Sequence, residues 1–154
     1  VDVNLVGTFL ACQAVGARMV KAGKGGSIIN VGSIYGMLSP IQDIYAYKKE
    51  MTGVPFIKPV AYSAAKGAVI AFTKALAKEV APSGILVNCV APGVIDTDML
   101  SMAPPEARAM LEEETPIGRL GQPSDIAEAV FYLASPASRF LTGQVIAPNG
   151  GLII

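Results

Sequence analysis

Short, mostly apolar runs alternate with longer helix-patterned segments along this chain, and that alternation restricts the fold more than any other feature. Three runs are typical of buried strands in their length and apolar content: Ser27–Ser33, Ile85–Gly93 and Thr142–Pro148. Each follows a segment whose apolar residues recur every three or four positions. Strands separated by helices join through right-handed crossovers, so the sequence predicts an α/β fold with a parallel sheet covered on both faces.

The predicted helices differ in how regular their apolar patterns are. The strongest is Tyr62–Gly84, which has a regular apolar stripe and closes at Gly84 after Pro82. Weaker patterns predict helices over Val1–Val20, Pro105–Glu113 and Gln122–Pro136, the last starting at Pro123 or Ser124. Residues 34–60 contain several prolines and glycines and are predicted to be irregular. A single domain is expected, and the absence of a cap or initiator Met suggests that the chain begins partway into an element.

The composition excludes several kinds of chemistry. The chain has no histidine, which removes Ser-His and Cys-His nucleophile pairs and the histidine zinc motifs. Its 12 basic and 12 acidic residues cancel, so no net charge favours nucleic acid or an anionic membrane. No apolar run approaches the roughly 18 residues of a membrane helix. Cys12 and Cys89 form no disulfide framework, which favours a reduced, cytoplasmic setting, and no metal site is expected.

Two Tyr-x-x-x-Lys spacings remain as candidates for acid–base chemistry. On a helix, this spacing sets a lysine ammonium one turn from a phenol. Tyr45 and Lys49 lie just before Gly53, Pro55 and other helix breakers, so at most one turn is expected there. Tyr62 and Lys66 open the strongest helix. We therefore predict that Tyr62 and Lys66 are the functional pair.

Several motifs in order along the chain together resemble the short-chain dehydrogenase/reductase family. The resemblance rests on "VNLVGTFLA" from Val3, "NVGSIYG" from Asn30, "AYSAAKGAVIAFTKALAKEV" from Ala61, "VNCVAPGVIDTDM" from Val87, "PIGRLGQPSDIAEAVFYLAS" from Pro116 and "LTGQVIAPNGG" from Leu141. It covers essentially the whole chain. Asn149 stands where the family commonly has aspartate, a departure that removes no catalytic group.

The resemblance implies a Rossmann-like, doubly wound parallel sheet that is only partly represented in these residues. The family's fold opens with a glycine-rich turn between a strand and a helix, which grips the cofactor pyrophosphate. The only glycine cluster here, "GKGGS" near residue 25, follows a helix and precedes a strand. Residues 1–154 therefore resemble a single partial domain, the C-terminal, substrate-side half of such an enzyme.

The same resemblance implies a role for each of four catalytic residues. Tyr62 would exchange a proton with the substrate oxygen, and a nearby cation, supplied by Lys66, favours the phenolate form of a tyrosine. Lys66 would also hydrogen-bond the nicotinamide ribose. Ser33 would hold the substrate oxygen, and Asn4 would link to the lysine through water. The alternative for Ser33 is a structural role in a turn at the end of a strand. The alternative for Tyr62, Lys66 and Asn4 is that they are ordinary polar residues on helices.

The cofactor implied by the resemblance is NAD or NADP. Pro92, Gly93, Ile95 and Thr97 match the family's segment that covers the nicotinamide, with the Ile95 backbone and Thr97 holding its carboxamide. Tyr62 and Lys66 would also contact the cofactor. The residue that selects between NAD and NADP belongs to the family's other half, so the sequence does not choose between them.

Residues 37–60 lengthen the spacing between the matched serine and tyrosine beyond what is usual in the family. An insertion at the C-terminal end of a strand lies beside the expected active-site crevice. Tyr45, Tyr47 and Phe56 are candidate walls for a substrate pocket there. The alternative is a surface loop with no role in substrate selection.

The low charge of the chain and a stripe of small residues suggest further contacts. Only 16% of the residues are charged, against about 25% in a typical domain. Ala64, Ala68, Ala71 and Ala75 share one side of the predicted Tyr62 helix, and family members similarly pair this helix across a subunit interface. A homo-oligomer is expected for the full-length protein, with packing inside the monomer as the alternative.

Two functions remain open at this stage. The first is an NAD(P)-dependent oxidoreductase that interconverts a small-molecule carbonyl and alcohol, similar to a 3-oxoacyl reductase or a sugar or polyol dehydrogenase. The second is a truncated, catalytically inactive chain that supports a partner subunit, since these residues contain no dinucleotide-binding turn. Either way, we expect the isolated 154 residues to be inactive.

Overall fold

The computed structural model describes residues 1–40, 42–101 and 103–154, and its centre is a three-stranded parallel sheet. The strands, in sheet order, are β1 (Gly26–Val31), β2 (Ile85–Val90) and β3 (Val145–Ile146). Gly26 pairs with Ile85 at one end of the first ladder, and Val31 pairs with Val90 at the other. The predicted parallel sheet is confirmed. Strands β1 and β2 end two and three residues before their predicted ends, and β3 is shortened at both ends.

Six α-helices surround the sheet in the described part of the chain. They are α1 (Thr8–Ala22), α2 (Tyr47–Thr52), α3 (Val60–Val80), α4 (Asp98–Ser101), α5 (Pro105–Glu114) and α6 (Pro123–Ala134). A π-helical turn, Asp2–Gly7, leads into α1. The first predicted helix therefore exists and extends two residues beyond its predicted end.

The helices cover both faces of the sheet, as predicted. Met19 of α1 and Ala77 of α3 pack on the same cluster as Ile28 of β1. Neighbouring strand residues point to opposite faces. Accordingly, the hydroxyl of Ser27 points the other way and donates a 2.9 Å hydrogen bond to the carbonyl of Leu133 in α6.

Helix α3 forms because its sequence has one continuous buried stripe. That stripe consists of Ala65, Val69, Thr73, Ala77 and Val80, which recur every three or four positions. Pro59 precedes the helix in extended geometry, and Gly84 ends the following 3₁₀ turn in the left-handed region with φ of 70°. Because the helix begins directly after Pro59, Tyr62 lies in its first turn.

The start of α6 differs from the prediction in its capping residue. Gln122 is the N-cap, and Pro123 occupies the first turn, where its missing N–H costs nothing. Asp125 accepts a 2.7 Å hydrogen bond from the Gln122 backbone N–H and also binds Arg119. The helix begins at Pro123, which confirms one of the two predicted starts; Ser124 is not the start, because the reciprocal cap forms at Gln122, two residues earlier.

Residues 34–60 are more ordered than predicted. They contain 3₁₀ turns at Ile34–Gly36 and Gln42–Tyr45, and helix α2, which ends at Gly53 in the left-handed region. Ring contacts, rather than helix propensity, hold the segment together: Lys48 lies 4.0 Å from the ring centroid of Phe56. Residue 41 of the predicted insertion lies outside the described residues.

The first helical segment meets a membrane-span criterion that the sequence reasoning did not anticipate. Among the described residues, Asp2–Ala22 is long and apolar enough to cross a bilayer by length and composition, with a mean hydropathy of 1.3. A core helix of a soluble protein meets the same criterion when it is mostly buried, whereas 11% of this segment is buried. Cys12 and Gly16 on this helix are buried against the sheet, so one side of the segment belongs to the core of the fold.

Candidate active site

A cavity of about 230 Å³, which we call the Tyr62 cavity, lies at the C-terminal ends of β1 and β2. This is the edge at which open parallel sheets bind ligands. Its lining contains apolar residues such as Ile34, Val94 and Leu111. The polar side chains that line it are Ser33, Tyr35, Tyr45, Tyr47, Lys58, Tyr62 and Thr97.

Ser33 reaches the cavity because β1 stops just before it. Ser33 is buried, has extended backbone geometry and is the N-cap of the 3₁₀ turn Ile34–Gly36. Its Oγ accepts a 3.1 Å hydrogen bond from the backbone N–H of Tyr35. The hydroxyl proton of Ser33 is then left for another acceptor. Local capping thus fixes the position of the side chain while keeping its donor available.

Two glycines allow the Ser33 turn to lie directly against α3. A Cβ added to Gly36 would lie 2.6 Å from the backbone carbonyl carbon of Lys66, which is closer than real atoms approach. On the opposing helix, Gly67 faces the carbonyl oxygen of Gly36. The close backbone approach brings Ser33 and Tyr62 to the same cavity.

Lys66 lies one turn after Tyr62, on the side of α3 that faces the end of β1. Its Nζ donates a 2.9 Å hydrogen bond to the carbonyl oxygen of Val31 and lies 5.9 Å from the ring centroid of Tyr62. Burial lowers the pKa of Lys66, because desolvation disfavours the charged form. The Lys66 ammonium therefore lies on the ring side of Tyr62, and its catalytic role stays a prediction.

Asn4 and Lys66 line a different surface from Ser33 and Tyr62. They border an open groove along β1 and α1, of about 440 Å³, which also includes Val31 and Cys12. Asn4 lies in the π-helical turn, where its carbonyl accepts a 3.0 Å bond from the Thr8 hydroxyl. The structure thus brings the four predicted catalytic residues together as two pairs, one on each side of the start of α3.

The predicted cofactor segment follows β2 and forms one wall of the Tyr62 cavity. Gly93, Ile95 and Thr97 line the cavity, whereas Pro92 does not. The carbonyl of Pro92 instead accepts a 3.2 Å bond from the Ile34 N–H, which ties the two loops together. Packing also explains why residue 93 is glycine, because an added Cβ would lie 2.7 Å from the Cα of Asn149.

The backbone of Ile95 is oriented by a short parallel bridge to Gly121. The bonds of this bridge involve the N–H of Asp96 and the carbonyl of Val94, so the polar groups of Ile95 itself take no part in it. An ion pair of 2.8 Å between Arg108 and Asp96 anchors the same loop. The segment is therefore held in place from its outer side.

The other Tyr-x-x-x-Lys spacing does not form a pair. Tyr45 ends a 3₁₀ turn, while Lys49 lies exposed in α2. The Tyr45 hydroxyl donates a 3.2 Å bond to the hydroxyl of Tyr35. Burial, followed by the bond to Tyr35, raises the pKa of Tyr45, so it keeps its proton. Tyr45 and Tyr47 line the Tyr62 cavity, whereas Phe56 lines a neighbouring depression with Met99.

Sequence reasoning missed Lys58 and Tyr35. The Nζ of Lys58 lies 4.6 Å from the ring centroid of Tyr62, nearer than that of Lys66. Lys58 belongs to no motif, and its only signal was a cation placed immediately before the helix that begins after Pro59. Among the described residues, no cluster of three or more His, Cys, Asp or Glu side chains could hold a metal ion.

Two family patterns match this sequence, and together they cover nearly all of it. The pattern described as enoyl-(acyl carrier protein) reductase matches residues 46–153. The pattern described as short chain dehydrogenase matches residues 1–50. The two matched segments contain all the residues that line the Tyr62 cavity.

Individual relatives agree with the family patterns. A 3-oxoacyl-(acyl-carrier-protein) reductase of Aquifex aeolicus is 39% identical over 97% of this chain. A short chain dehydrogenase of Leptospira borgpetersenii, solved with bound NAD+, matches 99% of the chain with a TM-score of 0.84 and 38% identity. A gluconate 5-dehydrogenase of Burkholderia cenocepacia, solved with NADP and tartrate, covers 97% with a TM-score of 0.80 and 34% identity.

These matches cover 54%, 54% and 52% of the relatives' own lengths, so the chain spans about half of each. The match extends along the whole of this chain, and the parallel sheet and the flanking helices correspond. The chain belongs to the short-chain dehydrogenase/reductase family.

Proposed function

We propose that this chain is the catalytic half of an NAD(P)-dependent oxidoreductase that interconverts a carbonyl and an alcohol by hydride transfer. One observation carries the proposal: Ser33 and Tyr62 line the same cavity as the loop Gly93–Thr97, at the carboxyl edge of a parallel sheet. A hydroxyl pair and a loop with available backbone groups are what a substrate oxygen and an adjacent carboxamide require.

In this proposal Tyr62 is the general acid for carbonyl reduction and the general base for alcohol oxidation. The Ser33 hydroxyl orients the substrate oxygen, since its own oxygen already accepts from Tyr35. Lys66 supplies positive charge near the Tyr62 ring, held by its bond to Val31. Asn4 shares a groove with Lys66 and would connect to it through water.

The residues present fit a nicotinamide cofactor, which would supply the hydride when bound. The N–H and carbonyl of Ile95 are not used by the bridge to Gly121, and Thr97 is exposed beside them. These are suitable partners for a carboxamide. Gly93, which has no side chain, forms part of the cavity wall beside them. The matched structures with NAD+ or NADP support either cofactor for the whole protein.

The same proposal extends to the domain organisation, location and substrate of the full-length protein. Residues 1–154 would be one partial domain of a doubly wound fold whose other half binds the dinucleotide, with 37–60 as an insertion beside the active site. The full-length protein would be a cytoplasmic homo-oligomer acting on a small molecule, with neither nucleic acid nor membrane as a partner. The relatives support two substrate classes, 3-oxoacyl thioesters and sugars or sugar acids.

A second candidate function is a catalytically inactive chain that supports a partner subunit. The observation behind it is that residues 1–154 contain no glycine-rich turn between a strand and a helix of the kind that binds a dinucleotide. In that case, Tyr62 and Lys66 would have no catalytic role, and neither this chain nor a longer form would turn over a cofactor.

The deciding experiment compares Tyr62→Phe with Tyr45→Phe in the full-length protein. Tyr62→Phe should lower kcat by roughly 10²- to 10⁴-fold, because it removes the proton donor and leaves the ring in place. Tyr45→Phe, in the same cavity, should change kcat far less. Nicotinamide absorbance reports turnover across a panel of ketones and alcohols. Normal turnover by Tyr62→Phe would reject the mechanism, and turnover by residues 1–154 alone would reject the half-enzyme assignment.

A further inference from the structure

Lys58 places an ammonium group in the Tyr62 cavity, whereas the Lys66 ammonium borders the neighbouring groove. Its Nζ lies 4.6 Å, 5.5 Å and 5.7 Å from the ring centroids of Tyr62, Tyr35 and Tyr45. The backbone of Lys58 is held by a residue that does not line the cavity, since its N–H donates a 2.9 Å hydrogen bond to the side-chain oxygen of Gln42. The cation is therefore held beside the proposed proton donor by local structure.

No ion pair is found between this ammonium and a carboxylate among the side chains that the structure describes. Neither Asp nor Glu is among the residues that line the cavity. The ion pairs in the described ranges join Arg108 to Asp96 and Arg119 to Asp125. Burial, and then the charge of Lys48, lower the pKa of Lys58, as expected where a cation loses water without gaining an anion.

A hydroxyl donor accompanies this cation. The oxygen of Tyr35 accepts the hydrogen bond from Tyr45, so the O–H of Tyr35 remains to donate elsewhere. The Lys58 ammonium lies over the Tyr35 ring, on the same side of the cavity. An ammonium and a phenol O–H together provide donors for an anionic oxygen, and such bonds are stronger than neutral ones.

We propose that Lys58 and the Tyr35 hydroxyl form a carboxylate-binding subsite, so that the substrate is a hydroxy or oxo acid. The inference rests on the proposed function, which puts the reacting carbon beside Tyr62. It favours a sugar-acid type of substrate over a neutral thioester, because a thioester would leave the Lys58 charge uncompensated. Charge complementarity of this kind discriminates between charged and neutral ligands.

The test measures ligand binding and turnover separately in the full-length protein. The probes are two matched pairs, gluconate with glucitol and 3-hydroxybutyrate with 1,3-butanediol, in which a CH₂OH group replaces the carboxylate. Titration calorimetry with the nicotinamide cofactor present gives Kd, and absorbance gives kcat and KM. Wild type should bind at least one acid roughly 10- to 100-fold more tightly than its neutral partner.

Lys58→Met should abolish that preference while leaving the affinity for the neutral partner within about twofold. Lys48→Met is the matched control, because Lys48 lies in the same segment but does not line the cavity, and it should keep the preference. Equal affinity of wild type for both members of each pair would overturn the subsite. A preference for the acid that survives Lys58→Met would also overturn the subsite. So would a decrease confined to kcat, which would mean that Lys58 acts on the proton transfer by Tyr62 and not on substrate binding.

The outcomes separate the two proposals. Tighter binding of an acid that depends on Lys58, without turnover by wild type, would support the subsite and contradict the oxidoreductase. Turnover with no preference for an acid would support the oxidoreductase and overturn the subsite.

Discussion

Four tyrosines, Tyr35, Tyr45, Tyr47 and Tyr62, line the Tyr62 cavity, and the surroundings of Tyr45 and Tyr62 give these two different roles. Tyr45 donates its proton to Tyr35, and its raised pKa makes it a poor proton donor or acceptor at neutral pH. Among the described residues, no hydrogen bond occupies the Tyr62 hydroxyl, which leaves it for a ligand. The chemistry at this position therefore depends on which phenol is already bonded, as well as on which phenol has a lysine nearby.

Lys66 offers a test of site electrostatics at the residue scale. Because its pKa is lowered in the folded state, the unfolded chain binds this proton more firmly. Between the folded pKa and the ordinary value of 10.5, unfolding takes up protons, so the contribution of Lys66 to stability rises with pH. Lys66→Met should remove that rise and strongly lower turnover.

The measurement is the free energy of unfolding of the full-length protein in urea at several pH values from 8 to 10.5. Lys74→Met, an exposed lysine of the same helix, is the control and should follow wild type. If Lys66→Met and wild type respond equally to pH, burial of this ammonium is not a significant electrostatic feature of the fold.

At the scale of elements, the sequence predicted best where a local pattern and a packing surface agree. Helix α3 has a continuous buried stripe, and it begins two residues before its predicted start and ends four residues before its predicted end, where a 3₁₀ turn follows. Strand β3 has only two paired residues, because the side chain of Asn88, rather than the ladder, receives the N–H of Gln144. No periodic pattern in the sequence reports a side-chain cap of that kind.

Residues 34–60 could not be predicted for a different reason. Their short helices depend on contacts between residues far apart in the segment, such as the tilted ring pair of Tyr45 and Phe56 with centroids 5.4 Å apart. Isolated helices of this length are marginal in water, so local propensity carries little information about them. For the same reason, Lys58 could not be assigned to the cavity before its position was known.

The contact between the Ser33 turn and α3 leads to a prediction about these two elements. Gly36→Ala should destabilise the protein by roughly 1–3 kcal/mol, because the added Cβ meets the backbone of Lys66 rather than a flexible side chain. It should also lower kcat, since the turn would move Ser33 away from Tyr62.

Gly16→Ala is the matched control for this substitution. Its Cβ would meet only the Ile28 Cδ1 at 3.9 Å, an ordinary contact, within helix α1. Alanine should there raise the free energy of unfolding by up to about 1 kcal/mol. Both are measured by chemical denaturation of the full-length protein. A tolerated Gly36→Ala variant with normal kcat would show that the close approach does not position Ser33.

At the scale of the molecule, the predicted site residues fall on two surfaces. Ser33, Tyr62, Gly93, Ile95 and Thr97 line one cavity, which Pro92 does not reach. Asn4 and Lys66 instead border the open groove beside the free edge of β1, so their relation to Tyr62 depends on what occupies that groove. Sequence motifs name residues that act together, but the placement of those residues on one surface is a property of the whole fold.

The exposed faces of α1 and α3 lead to a prediction about assembly. Ala64, Ala71 and Ala75 are exposed on the side of α3 opposite its buried stripe. Large apolar side chains are exposed on the neighbouring α1, and Phe9 meets Phe72 of α3 with ring centroids 5.4 Å apart. Small and apolar residues allow helices of two subunits to approach closely, so we expect the full-length protein to be a homo-oligomer through this surface.

Ala71→Glu should therefore lower the molar mass of the full-length protein in light scattering, because a carboxylate in a dry helix contact loses water without gaining a partner. Lys74→Glu changes the charge of the same helix at a position that is already polar, and it should leave the mass unchanged. A monomeric wild type would reject the interface outright. An oligomer that tolerates Ala71→Glu would place the contact on another surface and leave the exposed alanines as ordinary solvent-facing residues.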